Sequence, residues 1–345
     1  SGGDDIARYV LSVGYGSNKG ITPNTDLTKY STRFNGNLNI SKHLTVDANL
    51  SFTYNEQNLK DQGLSPKTNP IYLSLIKPPF LRQHAVNARG VESPNLADVD
   101  IFGFSNPQAI LDKSQEFNRN YRFFGNLNFK YQFNKYFAAQ TLIGISVDKV
   151  RENTFIPRAG VADDTLAYAV ADSRLASQVQ RLYNIYSNTY LSYNRTFNRI
   201  HTLSVYLGTR YTTYNTTYNL NEGYNSAIDQ LVSVGTGAPA LRTTGGDIGE
   251  YHWMNNYLSA NYTLYNKYIL GANVAADASS RFGSNINGAL SVNGVKYAVL
   301  PSVSAAWIVS SERFMAGLNA IEMLKLRASY GLIGKDDIGN YAARQ

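Results

Sequence analysis

The chain has 345 residues, no cysteine and a formal net charge of +7, yet only 17% of its residues are charged. The lack of cysteine excludes a disulfide framework and thiolate metal sites. Lys and Arg are scattered rather than gathered into a stripe, which argues against a nucleic-acid binder, and no run of about 18 apolar residues is present to make a transmembrane helix.

Tyr, Phe and Gly are abundant, at 26, 15 and 27, and Asn and Ser recur throughout. Aromatic residues and Thr favour strands, whereas Asn and Gly favour turns. Period-two alternation predicts eleven strands. The first, Ala7–Tyr15, puts Ala7, Tyr9, Leu11, Val13 and Tyr15 on one face. The second, Arg33–Ile40, sets Phe34, Gly36, Leu38 and Ile40 against Arg33, Asn35, Asn37 and Asn39. The third, Leu44–Asn55, alternates from Leu44 to Tyr54 against Thr45, Asp47, Asn49, Ser51 and Thr53. The fourth, Tyr121–Phe133, opposes Phe123, Leu127, Phe129 and Tyr131 to Arg122, Asn126, Asn128 and Lys130.

A less regular fifth covers about 137–147, and a sixth about 183–197. The seventh, His201–Tyr211, opposes Leu203, Val205 and Leu207 to Ser204, Tyr206, Gly208 and Arg210. The eighth and ninth form a hairpin within Asn256–Gly283 that turns at Asn266-Lys267. The tenth covers about 298–310, and the eleventh Met323–Ile333. Several run to ten or more residues. Globular strands average about 5–6, and a tilted strand needs roughly 9–11 to cross a bilayer core.

The connections sort by length. Ser41–His43, Asn134-Lys135, Asn198-Arg199 and Asn266-Lys267 are tight. Between them lie long polar stretches: Gly16–Tyr30, Glu56–Asn120, Asp148–Gln180, Thr212–Glu250 and Ser279–Tyr297. Short turns on one side and long loops on the other are the organisation of an outer-membrane barrel. Aromatics near strand ends, such as Tyr15, Tyr54, Tyr131, Tyr268 and Trp307, suit interfacial girdles. The fold class read from these features is all-β, an antiparallel transmembrane β-barrel. Eleven strands would leave an open edge in lipid, which is not tolerated. The pattern is in full flow at both ends, so the chain reads as a fragment. A soluble β protein is the competing reading, and would bury the apolar faces in a closed core.

"GGDDIARYVLSVGYGSNKGI", "NPIYLSLIKPPF", "NYLSANYTLYNKYILGANVAADASSRFG", "LPSVSAAWIVSSERF" and "LKLRASYGLIGKDDIGNY" resemble, in that order, the barrel of SusC/RagA-type TonB-dependent transporters of Bacteroidetes outer membranes. The resemblance covers nearly the whole chain. It implies a barrel of about 22 strands, of which these would be half, closed by an N-terminal plug that is absent here along with the C-terminal barrel strands. It also implies a SusD-like surface lipoprotein acting as a lid, and import driven through the plug by the TonB–ExbB–ExbD complex. The cargo would be an oligosaccharide or glycan, with peptides next. A passive porin or structural barrel is the alternative.

No enzyme constellation is present. His43, His84, His201 and His252 are far apart, without a metalloprotease spacing. The Gly-rich Gly235–Gly246 lacks a Walker ending and reads as a flexible loop. The acidic pairs Asp4-Asp5, Asp163-Asp164 and Asp336-Asp337 offer hard oxygen ligands to Ca²⁺, but isolated pairs in polar loops read as solvated, so no metal or cofactor is expected. Arg33, Asp47, Asn49, Arg122, Asn126, Asn128, Asn273, Asp277 and Arg281 are expected to face the lumen, holding a plug first and touching substrate second. Tyr72, Phe80, Phe102, Phe104, Tyr224, Tyr251 and Trp253 are read as loop aromatics for substrate or lid. In "NPIYLSLIKPPF" a short helix is expected, stopped by Pro78-Pro79.

Overall fold

A computed structural model describes residues 1–283, 289–318, 320–336 and 338–341. Eleven long strands follow one another in chain order and pair only with their neighbours, all antiparallel. They are β1 Ala7–Lys19, β2 Asp26–Asn39, β3 Leu44–Leu59, β4 Gln115–Gln132, β5 Phe137–Ile156 and β6 Arg174–Phe197. They continue as β7 His201–Tyr224, β8 Thr243–Leu264, β9 Tyr268–Ser279, β10 Val295–Ile308 and β11 Lys325–Gly331. Two short strands, Gly2–Gly3 and Leu290–Val292, add to the same sheet. The order is that of an up-and-down barrel wall.

Residues directly opposite in an antiparallel pair share a face. The register therefore joins the apolar positions into one band. Leu11 lies opposite Phe34, Phe34 opposite Leu50, Leu191 opposite Leu207, Leu207 opposite Leu258 and Leu258 opposite Val274. Among the described residues, much of this band is left uncovered: Val13 is 77% exposed and Leu207 56%. A soluble sheet would bury it, so the soluble reading fails. From Leu44 to Tyr54 the band is ten residue steps, about 34 Å of strand. A tilt of about 40° reduces that to about 26 Å, close to the roughly 25 Å apolar belt of outer-membrane barrels.

Most strands outrun their sequence-based limits. β2 starts at Asp26, not Arg33; β4 at Gln115, not Tyr121; β6 at Arg174, not Tyr183; and β7 runs on to Tyr224. The extra residues lie beyond the apolar band, where neither face is apolar and no alternation marks them. The backbone ladder continues there because pairing propagates in register, as in the pairs from Arg174–Tyr224 to Phe197–His201. The stretch Gly16–Tyr30, read as a long loop, is mostly strand around a tight connection at 20–25. β10 and β11 are somewhat shorter or shifted from expectation.

The loop sorting survives with two exceptions, the tight 20–25 connection on the long-loop rim and the longer connection between β10 and β11 on the tight rim. One rim carries connections 40–43, 133–136, 198–200 and 265–267, the other 60–114, 157–173 and 225–242. Two of the tight turns carry paired residues with positive φ, Asn198 and Arg199 at 53° and 59°, and Tyr265 and Asn266 at 54° and 56°. That is the type I′ signature, whose twist matches flanking strands. The β8–β9 turn is thus centred one residue before Asn266-Lys267.

At this tight rim Glu312, between β10 and β11, accepts from Tyr268 Oη at 2.7 Å, Lys267 Nζ at 3.0 Å and Trp307 Nε1 at 3.1 Å. These donors, Tyr268 foremost, hold its carboxyl far below the ordinary 4.5, at about 2. A depressed carboxyl stabilises the fold above its ordinary value and loses that contribution as pH falls toward the folded value. The anchor is therefore complete above about pH 5 and released between about pH 4.5 and 2. Stability against denaturant, followed by Trp307 fluorescence, should fall over that range, and Glu312→Gln should abolish that dependence.

The face assignment predicts a contrast between neighbours on β8. Leu258→Arg, on the apolar band, should cost about 2–4 kcal/mol of folding free energy in lipid. Ser259→Arg, on the opposite face, should cost under about 1 kcal/mol. Denaturant titration of the barrel in vesicles measures both.

Candidate functional site

The face opposite the apolar band is lined with amides, hydroxyls and aromatic phenols. On this inner face, a row of hydrogen bonds crosses five strands. Asn37 Nδ2 on β2 donates to Asp47 Oδ1 on β3 at 2.6 Å, and Asn128 Nδ2 on β4 donates to Asp47 Oδ2 at 3.0 Å. Gln140 Nε2 on β5 donates to Asn128 Oδ1 at 2.8 Å, and Tyr190 Oη on β6 donates to Gln140 Oε1 at 2.7 Å. A second rung joins Asn49 Nδ2 to Asn126 Oδ1 at 2.9 Å. Such linked amides polarise one another and hold fixed orientations.

The row continues as an aromatic platform. Tyr257 on β8 crosses over β7 and donates to Asn188 Oδ1 on β6 at 3.0 Å. It can do so because the residue beneath is Gly208: a Cβ there would lie 2.6 Å from the Tyr257 hydroxyl and 2.7 Å from Tyr190 Cβ. The Arg210 guanidinium lies over the Tyr257 ring at 4.6 Å, and Tyr190 and Tyr206 pack edge to face at 6.1 Å. Asn188, Tyr190, Tyr206, Arg210, Tyr257 and Asn273 line an open cavity of about 540 Å³.

Of the nine residues expected to face inward, Asp47, Asn49, Asn126 and Asn128 fall into this network. Arg122 Nε bonds Asp148 Oδ1 at 2.6 Å. Asp277 accepts from Asn255, and Asn273 reaches Ser302 Oγ at 3.4 Å. Arg33, opposite Ser12 and Ser51, shares the inner face without joining the row. Arg281 is different. It sits at the outer rim after β9, stacked over Tyr251 at 4.0 Å and donating to Asn340 Oδ1 at 3.0 Å. It ties the segment after β11 to β8.

The aromatic assignments need correction. Tyr251 and Trp253 lie within β8, and Tyr224 ends β7; only Tyr72, Phe80, Phe102 and Phe104 belong to a loop. That loop, 60–114, is folded. It holds α1 Pro70–Ile76, stopped before Pro78-Pro79 as expected, and α2 Pro107–Lys113, which was not anticipated. Each starts on an Asn-Pro pair. The Asn69 side chain accepts from Ile71 N and Tyr72 N, and the Asn106 side chain from Gln108 N, while proline suits the first helical position. Leu73, Ile110, Ile156 and Val161 form a small core, with Phe104 packed against it.

Beneath it, buried Lys60 donates to Ser114 O at 2.6 Å, Ser114 Oγ at 3.0 Å and Ile110 O at 3.3 Å. Burial pulls its ammonium below the ordinary value, opposed by Glu116 and Asp112. Lys77 pairs with Asp100 at 3.1 Å, both buried. Burial alone would raise the Asp100 carboxyl, but Phe104 N, Lys77 and Phe102 N together lower it.

Where this loop meets the wall, a cavity of about 390 Å³ opens on the inner side, lined by Asp61, Lys67, Glu116, Asp172, Arg174 and Tyr224 among others. Glu116, Arg174 and Tyr224 carry the inner-face parity of their strands. Among the described residues, Glu116 Oε1, Asn55 Oδ1 and Asn120 Oδ1 are buried acceptors with no donor. Lys67 Nζ binds Asp164 Oδ1 at 3.0 Å, so that acidic pair is engaged by a lysine, and Asp337 lies outside the described residues. Among the described residues no group of three or more His, Asp or Glu could hold a metal.

Sequence reasoning placed Arg210 on the polar face of its strand without giving it a role, and did not single out Gln140, Asn188, Tyr190 or Tyr257. All sit at inner-face positions of alternating strands, and that parity was the available signal. Tyr257→Phe should cost about 1 kcal/mol, the loss of one hydrogen bond. Gly208→Ala should cost more, about 1–3 kcal/mol, because its Cβ would also meet the Tyr257 ring Cζ at 2.6 Å and Tyr190 Cβ at 2.7 Å. Because those contacts remain in Tyr257→Phe, the double variant should still carry most of the glycine penalty, which a thermodynamic cycle in micelles tests.

No family model matches the sequence. Curated relatives do. Over 99% of this chain, TonB-dependent receptor P39 of Formosa agariphila is 25% identical and TonB-dependent receptor SusC of Bacteroides thetaiotaomicron 20% identical. The chain spans about a third of the length of these relatives, 30% and 33%. Among solved structures, the RagAB peptide transporter superposes with a TM-score of 0.72 at 19% identity, covering 99% of this chain and 36% of that one. The fold is that of an outer-membrane barrel wall, and the relatives are receptors rather than enzymes.

Proposed function

We propose that this chain, similar from end to end to TonB-dependent receptors, lines the route of an energised outer-membrane nutrient importer. The observation that carries this reading is the inner face. It is a continuous polar lining, linked by hydrogen bonds from Asn37 on β2 to Tyr190 on β6. A polar inner face suits a water-filled or plugged interior, and a plug would dock on its partly exposed amides and hydroxyls. An open sheet edge is not tolerated in lipid, so further strands would close the barrel. The remaining two thirds of the relatives' length leaves room for both plug and strands.

The cargo is an oligosaccharide first and a peptide second. Tyr190, Tyr206 and Tyr257 present aromatic surface beside the Asn188 and Asn273 amides and the Arg210 guanidinium. Aromatic surface with a few placed polar groups is the usual make-up of a ligand site, and suits sugar rings carrying hydroxyls. The lid would be a SusD-like lipoprotein. The folded outer loop offers it an apolar surface, with Leu75 79% and Phe80 69% exposed and Phe80 packed edge to face on Phe102. TonB, with ExbB and ExbD, would act through the plug.

Uptake of labelled oligosaccharides by cells carrying the full-length protein tests this reading. Uptake should stop when the proton gradient is collapsed. Uptake that persists would mean a passive porin. Tyr257→Ala should reduce sugar uptake about three- to tenfold, the loss of one aromatic contact. An unchanged sugar rate with reduced peptide uptake would reverse the cargo order.

A further inference from the structure

Just beyond the apolar band, the outward face of the wall changes character over three adjacent strands. The band ends in Tyr54, Tyr121 and Tyr183, with Tyr54 and Tyr121 in contact at 4.7 Å. The next outward-facing positions are Arg119 on β4, Lys149 and Arg151 on β5, and Arg181 on β6. Arg119 is directly opposite Arg151, and Lys149 directly opposite Arg181; Lys149 also lies opposite Tyr121. Strand spacing of about 4.8 Å gathers the four cations within about 10 Å laterally.

Their parity is that of Tyr121, Val147 and Tyr183, so they point away from the lumen, on the side of the long loops. Lys149, Arg151 and Arg181 are exposed. Among the described residues, Glu56 is the acid paired with this group, and it meets Arg119 alone, at 2.8 Å. Arg151 reaches a neutral partner, Asn153 Oδ1 at 3.3 Å. Like charges directly opposite on a sheet destabilise it. Arg119 is offset by Glu56, which leaves Lys149, Arg151 and Arg181 as adjacent cations, and an anion seated between them would relieve their repulsion.

We infer that Arg119, Lys149, Arg151 and Arg181 form a docking site for the phosphate groups of a phosphorylated glycolipid in the outer leaflet. The inference rests on the apolar band facing lipid. Three features make the fit. The aromatic ring fixes the headgroup level. Lys149 and Arg181 share the register row of Tyr54 and Tyr121, and Arg119 and Arg151 stand in the next row outward, at the level of headgroup phosphates. Arginine forks suit phosphate oxygens bidentately, and acyl chains below would lie on Leu127, Ile143 and Phe129.

The test uses the full-length protein in detergent with phosphorylated lipid A, the same lipid dephosphorylated, and phosphatidylglycerol. Bound lipid is counted by native mass spectrometry. Phosphorylated lipid A should bind about tenfold or more tightly than either other lipid, and added salt should erode the difference. The triple variant Lys149→Gln, Arg151→Gln, Arg181→Gln should fall to the dephosphorylated level. Charge-retaining Arg151→Lys, Arg181→Lys should keep most of the preference. Lys42→Gln, Lys135→Gln, Arg199→Gln, which removes equal charge at the opposite rim, should keep all of it. Equal binding of the three lipids, or undiminished preference in the triple variant, overturns the inference. Heat-modifiable migration confirms that each variant is folded; if the triple variant unfolds, single Lys149→Gln, with at least a twofold loss of preference expected, decides. A full-length protein that fails to fractionate with the outer membrane would instead remove the lipid-facing premise.

Discussion

The unbroken antiparallel ladder is the constraint on which everything else depends. In hydrocarbon, each unpaired backbone N–H or C=O costs several kcal/mol, so a chain without apolar helices can cross only as strands that satisfy one another. Here every wall strand between β1 and β11 has a partner on both sides. Once that ladder is set, its register decides which side chains meet lipid and which meet the interior. A slip of one residue would exchange the two faces. The band from Leu11 to Val274 and the row from Asn37 to Tyr190 are two readings of one register.

That coupling explains how the inner face can be polar and ordered. Amides on adjacent strands sit at hydrogen-bonding distance because the backbone ladder has already placed their Cα atoms. Asp47 receives two donors from the strands on either side. Only where a side chain must cross a strand does the wall need a special residue, and Gly208 supplies the gap for Tyr257. The linked amides hold the lining in fixed orientations.

The outward face carries a gradient along the strand axis: apolar band, aromatic ring, then cations on β4 to β6. The inner face carries a different one, from the amide row to the mixed-charge cavity under the folded loop. The two gradients share strands but not solvents. Glu116 and Arg119, three residues apart on β4, serve opposite sides of the wall.

Alternation is a local property, and the sequence alone therefore settled which residues share a face: that Leu258 and Ser259 lie on opposite faces follows from period two whatever the neighbours are. It also settled the sorting of turns and loops, and the helix at Asn69-Pro70. It did not settle how far strands run beyond the membrane, because residues such as Leu175 to Gln180 keep pairing where no apolar contrast marks them. Nor could it join Gln140 to Tyr190, place Tyr251 under Arg281, or bring Leu73 to Ile156. Those contacts depend on strand order and register between segments far apart in the chain, and only the assembled sheet sets those distances.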